Sequence, residues 1–485
     1  MTTSLKPLEP DTIQRFLDDM VQADQTQPIA IKVDDVIADL RAKGVQPGHP
    51  VMVAIPNSKA FVAVVFGILA LGAVPVLLPS SAPPARIQRI AHIVGASALV
   101  GLNISPALSP ADSVSALAGV AKFAFIDQRA PHAYPEHHII LLTSGTSGIF
   151  SGCLFHINAL LLNASRHIAA VGQSASDRVL INLPMYYSYA FVAQLLASFL
   201  LNNRTVIAGP PFTPEHYEHT IRQYQITLSS LTPLMVDAWL EAGDQPLPEP
   251  LRRMTIGGDA LSTASLKALL DRTPGLALYV TYGLTQAGPR VATLAAHKAP
   301  PSKYGSVGQP FPDIRVYLRK DHPDDDDGEL IVETDSGMTR RITGAEDEPD
   351  TPRIGDHRII HTGDRFLIDD DGYLFFKRRK PSYVMSRGEK VSLKSVSDIA
   401  ETIPGVARAE AWVHEYDEAS GNSLFTLDVY CEDDTLTEGD IRRQLGRTLL
   451  RSEQPTVITL HAAADIGWRK TPSHHAATAS KEVTP

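Results

Sequence analysis

A stretch rich in hydroxyl side chains and glycine follows the apolar run "HIILL" in the first third of the chain. It reads Thr143, Ser144, Gly145, Thr146, Ser147, Gly148. Backbone N–H groups and hydroxyls in such a loop can hold phosphate oxygens. Loops that grip a triphosphate also carry a cation, but no Lys or Arg stands between Gly148 and His156. The stretch therefore predicts a phosphate site with unusually little positive charge.

The composition limits the possible classes of protein. The 485 residues are 44% hydrophobic and 20% charged, which indicates a globular chain of more than one domain. The net charge of −10 argues against nucleic acid as a partner. No apolar run reaches the length of a membrane span, so no membrane association is expected. The only two cysteines, Cys153 and Cys431, favour a reducing cytoplasmic location, and Cys153 is interpreted as a buried, inert thiol rather than an acyl-carrying nucleophile.

Strand and helix patterns alternate through the first 300 residues, which predicts parallel sheets with helical crossovers. From Lys303 the pattern changes to short strands with tight turns, typical of an antiparallel subdomain. We expect an α/β protein with a large N-terminal domain, residues 1–380, of layered parallel sheets plus this antiparallel subdomain. A small, mobile α+β C-terminal domain is expected over residues 381–485.

Six motifs, in order, resemble the adenylate-forming superfamily of acyl- and aryl-CoA ligases and peptide-synthetase adenylation domains. They are "LLTSGTSGIFSG", "LPMYYSYAFVAQLL", "YGLTQ", "HTGDRFLIDDDGYLFF", "RRKPSYVMSRGEKVSLKSVSDIAETIPGV" and "RKTPSHHAA". The resemblance covers nearly the whole chain and implies two half-reactions. A carboxylate attacks the α-phosphate of ATP to give an acyl-adenylate, and a pantetheine thiol then displaces AMP after the C-terminal domain rotates.

The sequence departs from this family where the first half-reaction needs charge. Ser151 stands at the phosphate-loop lysine, Gln286 at a carboxylate that helps to hold Mg²⁺, and His475 at the catalytic lysine of the last motif. Pro381 replaces the usual hinge residue and favours one domain orientation. Three losses of charge predict that ATP-dependent activation has been abandoned, although drift within a working ligase remains the alternative reading.

The resemblance also implies the site residues. The catalytic candidates are Tyr187, Thr285 and Gln286. The acyl pocket is expected to contain Tyr186, Tyr189, Gly257, Gly258, Tyr282 and Gly283. The nucleotide site comprises Thr143, Ser144, Gly145, Thr146, Ser147, Gly148, Asp364 and Arg379. The pantetheine tunnel comprises Arg387, Gly388, Glu389 and Lys390. Ordinary core packing for the tyrosines and a structural turn for Asp364 are the competing interpretations.

Together these residues predict an acyltransferase that moves an activated, aromatic acyl group from CoA to the pantetheine thiol of an acyl carrier protein. Its partners would be acyl-CoA and that carrier protein, with no requirement for ATP, Mg²⁺ or another metal, and AMP as a possible ligand. An ATP-dependent aryl- or acyl-CoA ligase and a non-catalytic binding protein are the alternatives. ATP–pyrophosphate exchange separates the ligase from the other two.

Overall fold

The computed structural model describes residues 8–23, 30–127, 131–143, 151–209, 211–243, 245–320, 325–344, 349–379, 384–387, 389–417, 422–431 and 436–462. The α-helices are α1 (Pro10–Asp18), α2 (Val33–Ala42), α3 (Lys59–Ala70), α4 (Pro84–Val94), α5 (Ile157–Val171), α6 (Ala197–Leu201), α7 (Pro214–Tyr224), α8 (Pro233–Glu241), α9 (Thr263–Arg272), α10 (Leu393–Ala400) and α11 (Glu438–Leu445). A π-helical segment, Ala190–Leu196, runs directly into α6.

The strands alternate with these helices as the sequence pattern predicts. They are β1 (Val21–Gln22), β2 (Pro50–Ala54), β3 (Val74–Leu77), β4 (Ala98–Gly101), β5 (Ser115–Leu117), β6 (Ala121–Phe125), β7 (His138–Thr143), β8 (Ser151–His156), β9 (Arg178–Ile181), β10 (Arg204–Ile207), β11 (Leu228–Leu231), β12 (Arg253–Ile256), β13 (Ala277–Gly283), β14 (Arg290–Ala295), β15 (Gln309–Pro310), β16 (Arg315–Arg319), β17 (Gly328–Thr334), β18 (Arg340–Ile342), β19 (Arg353–Ile354), β20 (His357–Ile368), β21 (Leu374–Arg379), β22 (Val384–Ser386), β23 (Glu389–Val391), β24 (Val406–Asp417), β25 (Asn422–Cys431) and β26 (Val457–Ala462).

Two eight-stranded sheets form the layers of the large N-terminal domain. One has the order β1-β10-β9-β11-β12-β13-β14-β15 and is parallel from β1 through β13. The other has the order β18-β8-β7-β3-β2-β4-β6-β5, with a parallel centre and antiparallel edges. Helix α3 is buried along most of its length. Its uniformly apolar sequence reflects that burial, and Ser58 caps its N-terminus by accepting a hydrogen bond from Phe61 N–H.

The antiparallel subdomain and the smaller C-terminal domain complete the predicted fold class. Strands β16, β17, β20, β19 and β21 form an antiparallel sheet. In the C-terminal part, β24, β25 and β26 form a three-stranded sheet, and α10 packs into the same apolar cluster. The expected domain boundary, between residues 380 and 381, lies outside the described residues.

The C-terminal elements contact the second eight-stranded sheet and its helices. One apolar cluster contains both Val94 of α4 and Leu427 of β25. A buried ion pair joins the same regions, with Arg86 Nη1 2.9 Å from Glu453 Oε2. No helix in the described ranges is both long and apolar enough to cross a membrane.

Candidate functional site

The aromatic segment and the "YGLTQ" motif meet at the carboxyl end of β13. Ser188 Oγ lies 2.9 Å from Thr285 Oγ1, which ties the two motifs together. The Tyr189 hydroxyl lies 2.9 Å from Thr255 Oγ1 on the neighbouring strand β12. Tyr187 is 51% exposed and its ring lies 4.3 Å from that of Tyr186, centroid to centroid. The structure thus brings the predicted tyrosines beside the predicted Thr285.

Two of the predicted pocket glycines are required by close packing. A Cβ atom at Gly283 would collide with the carbonyl oxygen of Pro289, and one at Gly257 would collide with Thr281 Oγ1. Gly258 adopts a φ of +98°, a conformation that L side chains rarely take. These glycines therefore let the backbones of β12, β13 and β14 approach one another at the edge of the site.

Asp364 and Tyr282 form one unit. The Tyr282 hydroxyl donates a 2.7 Å hydrogen bond to Asp364 Oδ2, and the Asp364 carboxylate is almost completely buried. Asp364 N–H also donates to Thr362 Oγ1 at 3.0 Å. The predicted nucleotide-site carboxylate is therefore held beside the predicted pocket tyrosine.

The phosphate stretch is the connection of a β-hairpin whose two ends are well defined. Thr143 ends β7 and pairs in register with Ser151, the first residue of β8. Their hydroxyl oxygens lie 3.1 Å apart, and Ser151 is buried. Arg341, from the adjacent strand β18, donates from Nε to Ser151 Oγ at 3.1 Å. A guanidinium therefore stands at the base of this loop, beside the position that the resemblance assigns to a lysine.

The segment predicted to line the pantetheine tunnel lies near the tyrosines. Glu389 begins β23 and accepts a 2.6 Å hydrogen bond from the Ser452 hydroxyl. Burial raises the pKa of the Tyr186 phenol, and the neighbouring Tyr187 and the Glu389 charge raise it further. Arg387 adopts a φ of +52° and donates from Nη1 to the Arg451 carbonyl oxygen at 2.8 Å.

Several predicted residues cannot be placed. Ser144, Gly145, Thr146, Ser147, Gly148, Pro381, Gly388 and His475 lie outside the described residues, as do the side chains of Arg379 and Lys390. Gln286 is half-buried, and its carbonyl oxygen accepts a 2.9 Å hydrogen bond from Met338 N–H. The described residues contain no group of three or more His, Cys, Asp or Glu side chains arranged to hold a metal ion.

Two arginines at the site have no counterpart in the sequence-based prediction. Arg341 occurs in "SGMTRRITG" and Arg290 in "TQAGPRV", neither of which resembles a charged motif. Arg290 is 3% exposed, and its Cζ lies 4.7 Å from the centroid of the Tyr189 ring. Pairing of β18 with β8 brings Arg341 beside Ser151, and pairing between such distant segments leaves no local signal in the sequence. Arg290 follows the "YGLTQ" motif by four residues, but it lies outside the motif and is not among the predicted site residues.

Cys153 behaves as the sequence predicts. It is fully buried in β8, and burial raises the pKa of its thiol to about 12. A thiol that stays protonated at neutral pH is a poor nucleophile. The acyl-enzyme alternative at this residue is therefore disfavoured.

Curated relatives match most of the chain. A 2-succinylbenzoate–CoA ligase of Bacillus cytotoxicus is 25% identical over 385 residues, covering 78% of each chain. A feruloyl-CoA synthase of an Amycolatopsis species is 28% identical over 388 residues, covering 76% of each chain. Both relatives carry the name of an enzyme that forms a CoA thioester of an aromatic acid.

Solved structures share the fold. The o-succinylbenzoate CoA synthetase of Bacillus subtilis, bound to the product analogue OSB-NCoA, superimposes with a TM-score of 0.75 at 19% identity, covering 93% of this chain and 95% of that one. The same enzyme in complex with the acyl-adenylate intermediate OSB-AMP gives a TM-score of 0.65 at 19% identity, covering 93% and 94%.

These findings correct three predictions. The predicted ATP-independent transfer from CoA to a carrier protein is wrong, and so is the acyltransferase assignment. The statement that ATP and Mg²⁺ are not required is also wrong. The relatives are named as CoA ligases, and the structurally similar Bacillus subtilis enzyme is solved with an acyl-adenylate. The prediction counted charges only within motifs, at Ser151, Gln286 and His475. It could not detect Arg341, which contacts Ser151 from a strand nearly 200 residues later in the chain.

The family model for "AMP-binding enzyme" matches residues 30–341, which is more than half of the chain. This span includes the phosphate hairpin, the aromatic segment, the "YGLTQ" motif and both unpredicted arginines. The motif order, the layered fold and this match agree, and the chain belongs to the AMP-binding enzyme family, within the adenylate-forming superfamily.

Proposed function

We propose that this protein is an ATP-dependent acid–CoA ligase that forms an acyl-adenylate from a carboxylic acid and then converts it to a CoA thioester. In the first step a carboxylate oxygen attacks the α-phosphorus of ATP and pyrophosphate leaves. In the second step the CoA thiol attacks the acyl carbon, and AMP leaves with the original carboxylate oxygen. Mg²⁺ enters as part of the ATP substrate.

The observation that carries this proposal is the position of Arg341. Phosphoryl chemistry needs positive charge next to the phosphates, because negative charge develops there in the transition state. Arg341 supplies a permanent charge 3.1 Å from Ser151, where the family has its lysine. A guanidinium presents several donors to phosphate oxygens and does not lose its proton at physiological pH. The charge missing from the loop sequence thus has a source in the fold.

The neighbouring residues support the remaining requirements of the ligase. Tyr282 and Asp364 form a hydrogen-bonded pair at which ribose hydroxyls can be held. Tyr186, Tyr187 and Tyr189 provide aromatic surface for the acyl group. Arg387 and Glu389 are placed to line the pantetheine tunnel, with Glu389 within electrostatic reach of Tyr186.

Acid-dependent ATP–pyrophosphate exchange tests the proposal. Wild-type protein should exchange in the presence of its acid, and Arg341→Gln should lower the exchange kcat by about 100- to 1000-fold, as expected for a lost transition-state charge. Ser151→Ala should have a much smaller effect because it leaves the charge in place. Arg222→Gln is the matched control, since Arg222 forms an exposed pair with Glu218 on α7.

The rescue experiment is the sharper test. Ser151→Lys in the Arg341→Gln background returns an ammonium to the family's position and should restore part of the exchange rate. If folded wild-type protein shows no ATP–pyrophosphate exchange with any carboxylic acid tested, the ligase function is refuted. If Arg341→Gln leaves the exchange rate unchanged, the role of Arg341 is refuted and the ligase function still stands.

A further inference from the structure

Arg290 is held rigidly through its backbone. It begins β14, and its N–H donates to Asn163 Oδ1 at 2.9 Å. The Asn163 amide nitrogen donates in return to the Arg290 carbonyl oxygen at 2.8 Å and to Ser336 Oγ at 3.1 Å. Asn163 is fully buried on α5. The position of the arginine is therefore fixed before any ligand binds.

The side chain of Arg290 is a buried cation without a counter-charge among the described residues. The Tyr189 ring covers one face of the guanidinium. Nε and Nη2 are buried and have no hydrogen-bond partner within the described ranges. His167 is close enough that burial and the Arg290 charge lower its pKa well below 6.5, so the imidazole is neutral and supplies no negative charge. Burying an uncompensated charge is costly, which indicates that a partner is missing.

The two unpartnered atoms, Nε and Nη2, lie on the same edge of the guanidinium, and we call this edge the Arg290 fork. Nε–H and one Nη2–H point to the same side of the guanidinium plane and match the two oxygens of a carboxylate. Another buried arginine of this protein uses the same edge. Arg365 donates from Nε to Asp327 Oδ2 at 3.0 Å and from Nη2 to Asp327 Oδ1 at 2.7 Å. The Arg290 fork is thus suited to a carboxylate that the described chain does not provide.

The surroundings of Arg290 belong to the acyl side of the site. A Cβ atom at Gly257 would lie 3.4 Å from Arg290 Nη1, so the guanidinium packs directly beside this predicted pocket glycine. Tyr189, which stacks on Arg290, is hydrogen-bonded through its hydroxyl to Thr255 of β12, the strand that Gly257 follows. The phosphate loop has a separate cation in Arg341. The position of Arg290 therefore favours the acyl substrate over the phosphates of ATP.

We propose that Arg290 binds a second carboxylate on the acid substrate, so that the enzyme activates one carboxyl group of a dicarboxylic acid while the Arg290 fork holds the other. This inference rests on the proposed ligase function and names its substrate class. The selective group is the Nε–Nη2 edge, fixed by Asn163 and stacked on Tyr189. A monocarboxylic acid leaves this edge unpaired and should be a poor substrate.

The test compares acids that differ only in the distal group. The probes are phthalate, isophthalate, terephthalate and adipate, each beside its monoamide, in which one carboxylate becomes a neutral carboxamide. The first readout is kcat/KM for acid-dependent ATP–pyrophosphate exchange. Wild-type protein should prefer at least one diacid over its monoamide by about 10- to 100-fold, the range expected for a charge-assisted hydrogen-bonded pair.

Two variants decide the role of Arg290. Arg290→Met should abolish the preference for the diacid over its monoamide. Arg290→Lys should keep part of the preference, because it retains the charge but not the fork. A diacid preference that persists in Arg290→Met, or a wild-type enzyme that prefers every monoamide, would overturn the inference while leaving the ligase function intact.

The second readout does not depend on turnover. At least one of the four diacids should raise the melting temperature of wild-type protein and leave that of Arg290→Met unchanged, with its monoamide giving little shift in either. If no acid supports exchange, the ligase proposal fails, and this melting experiment still decides the carboxylate site. Equal shifts in wild type and Arg290→Met would refute the site.

Discussion

Arg365 and Arg290 are both almost completely buried, and they differ in what faces the same edge of the guanidinium. Arg365 lies in the antiparallel subdomain, where Asp327 accepts hydrogen bonds from both Nε and Nη2. Arg290 lies at the junction of β13 and β14, where these two atoms have no partner in the described structure. We call the Arg365 fork closed, because the protein's own carboxylate pairs with it. We call the Arg290 fork open, meaning that its Nε and Nη2 have no hydrogen-bond partner in the described structure.

The comparison separates two uses of one side chain. A closed pair fixes the chain locally, and removing either partner leaves a charge in a poorly solvated place. An open fork stabilises nothing in the free protein, because the charge is buried without compensation. Proteins keep such an arrangement where binding matters more than stability. The difference supports our proposal that Arg290, and not Arg365, binds the substrate.

The largest stability effect is expected from breaking the closed pair. Arg365→Met should lower the free energy of unfolding by about 1–3 kcal/mol, because Asp327 loses both charged hydrogen bonds but is exposed enough to recover some hydration. Arg290→Met should leave this free energy unchanged or raise it. Urea unfolding of the two variants measures the difference. Equal destabilisation would show that Arg290 is a structural residue like Arg365.

A smaller, pH-dependent effect sharpens the account of the open fork. His167 is neutral in the folded protein, whereas in the unfolded chain it titrates near 6.5. The unfolded state then binds the additional proton, so stability should fall as the pH drops below 6.5, by up to about 1.4 kcal/mol per pH unit for this one group. His167→Leu should reduce that slope.

The matched control for this experiment is His92→Leu, since His92 is an exposed residue of α4. Urea unfolding at pH 7.5, 6.5 and 5.5 gives the slope for each protein. Other histidines, such as His138, also have a pKa lowered by burial, so the wild-type slope contains their contributions. A His167→Leu slope equal to that of wild type would contradict a buried neutral imidazole beside Arg290.

The sequence predicts the fold well because the fold follows from local patterns. The apolar run from Ala60 to Leu78 divides at Gly72 into α3 and β3, as a turn residue between two apolar segments predicts, and Pro75 lies within β3. The change to short strands after Lys303 likewise marks the antiparallel sheet. These signals lie within windows of about ten to twenty residues, which is the range over which propensity and patterning act.

The same reading misjudges the chemistry because the charges of the site come from tertiary structure. Ser151 stands where the family has a lysine, and pairing of β18 with β8 brings Arg341, our proposed source of the charge, beside it. Arg290 is placed under Tyr189 by contacts with Asn163 on a different element. A motif that lacks a charged residue can therefore belong to a site in which a residue from another element provides the positive charge.

The central claim is that the enzyme activates a carboxylate through an acyl-adenylate. Incubation with an acid labelled with ¹⁸O at both oxygens of each carboxylate, together with unlabelled ATP and CoA, tests it most directly, with mass spectrometry of the AMP that is formed. The account predicts that AMP acquires one ¹⁸O atom per thioester formed, because the carboxylate oxygen that attacks phosphorus departs with AMP. Thioester formation without AMP, or with AMP that carries no ¹⁸O, would contradict it.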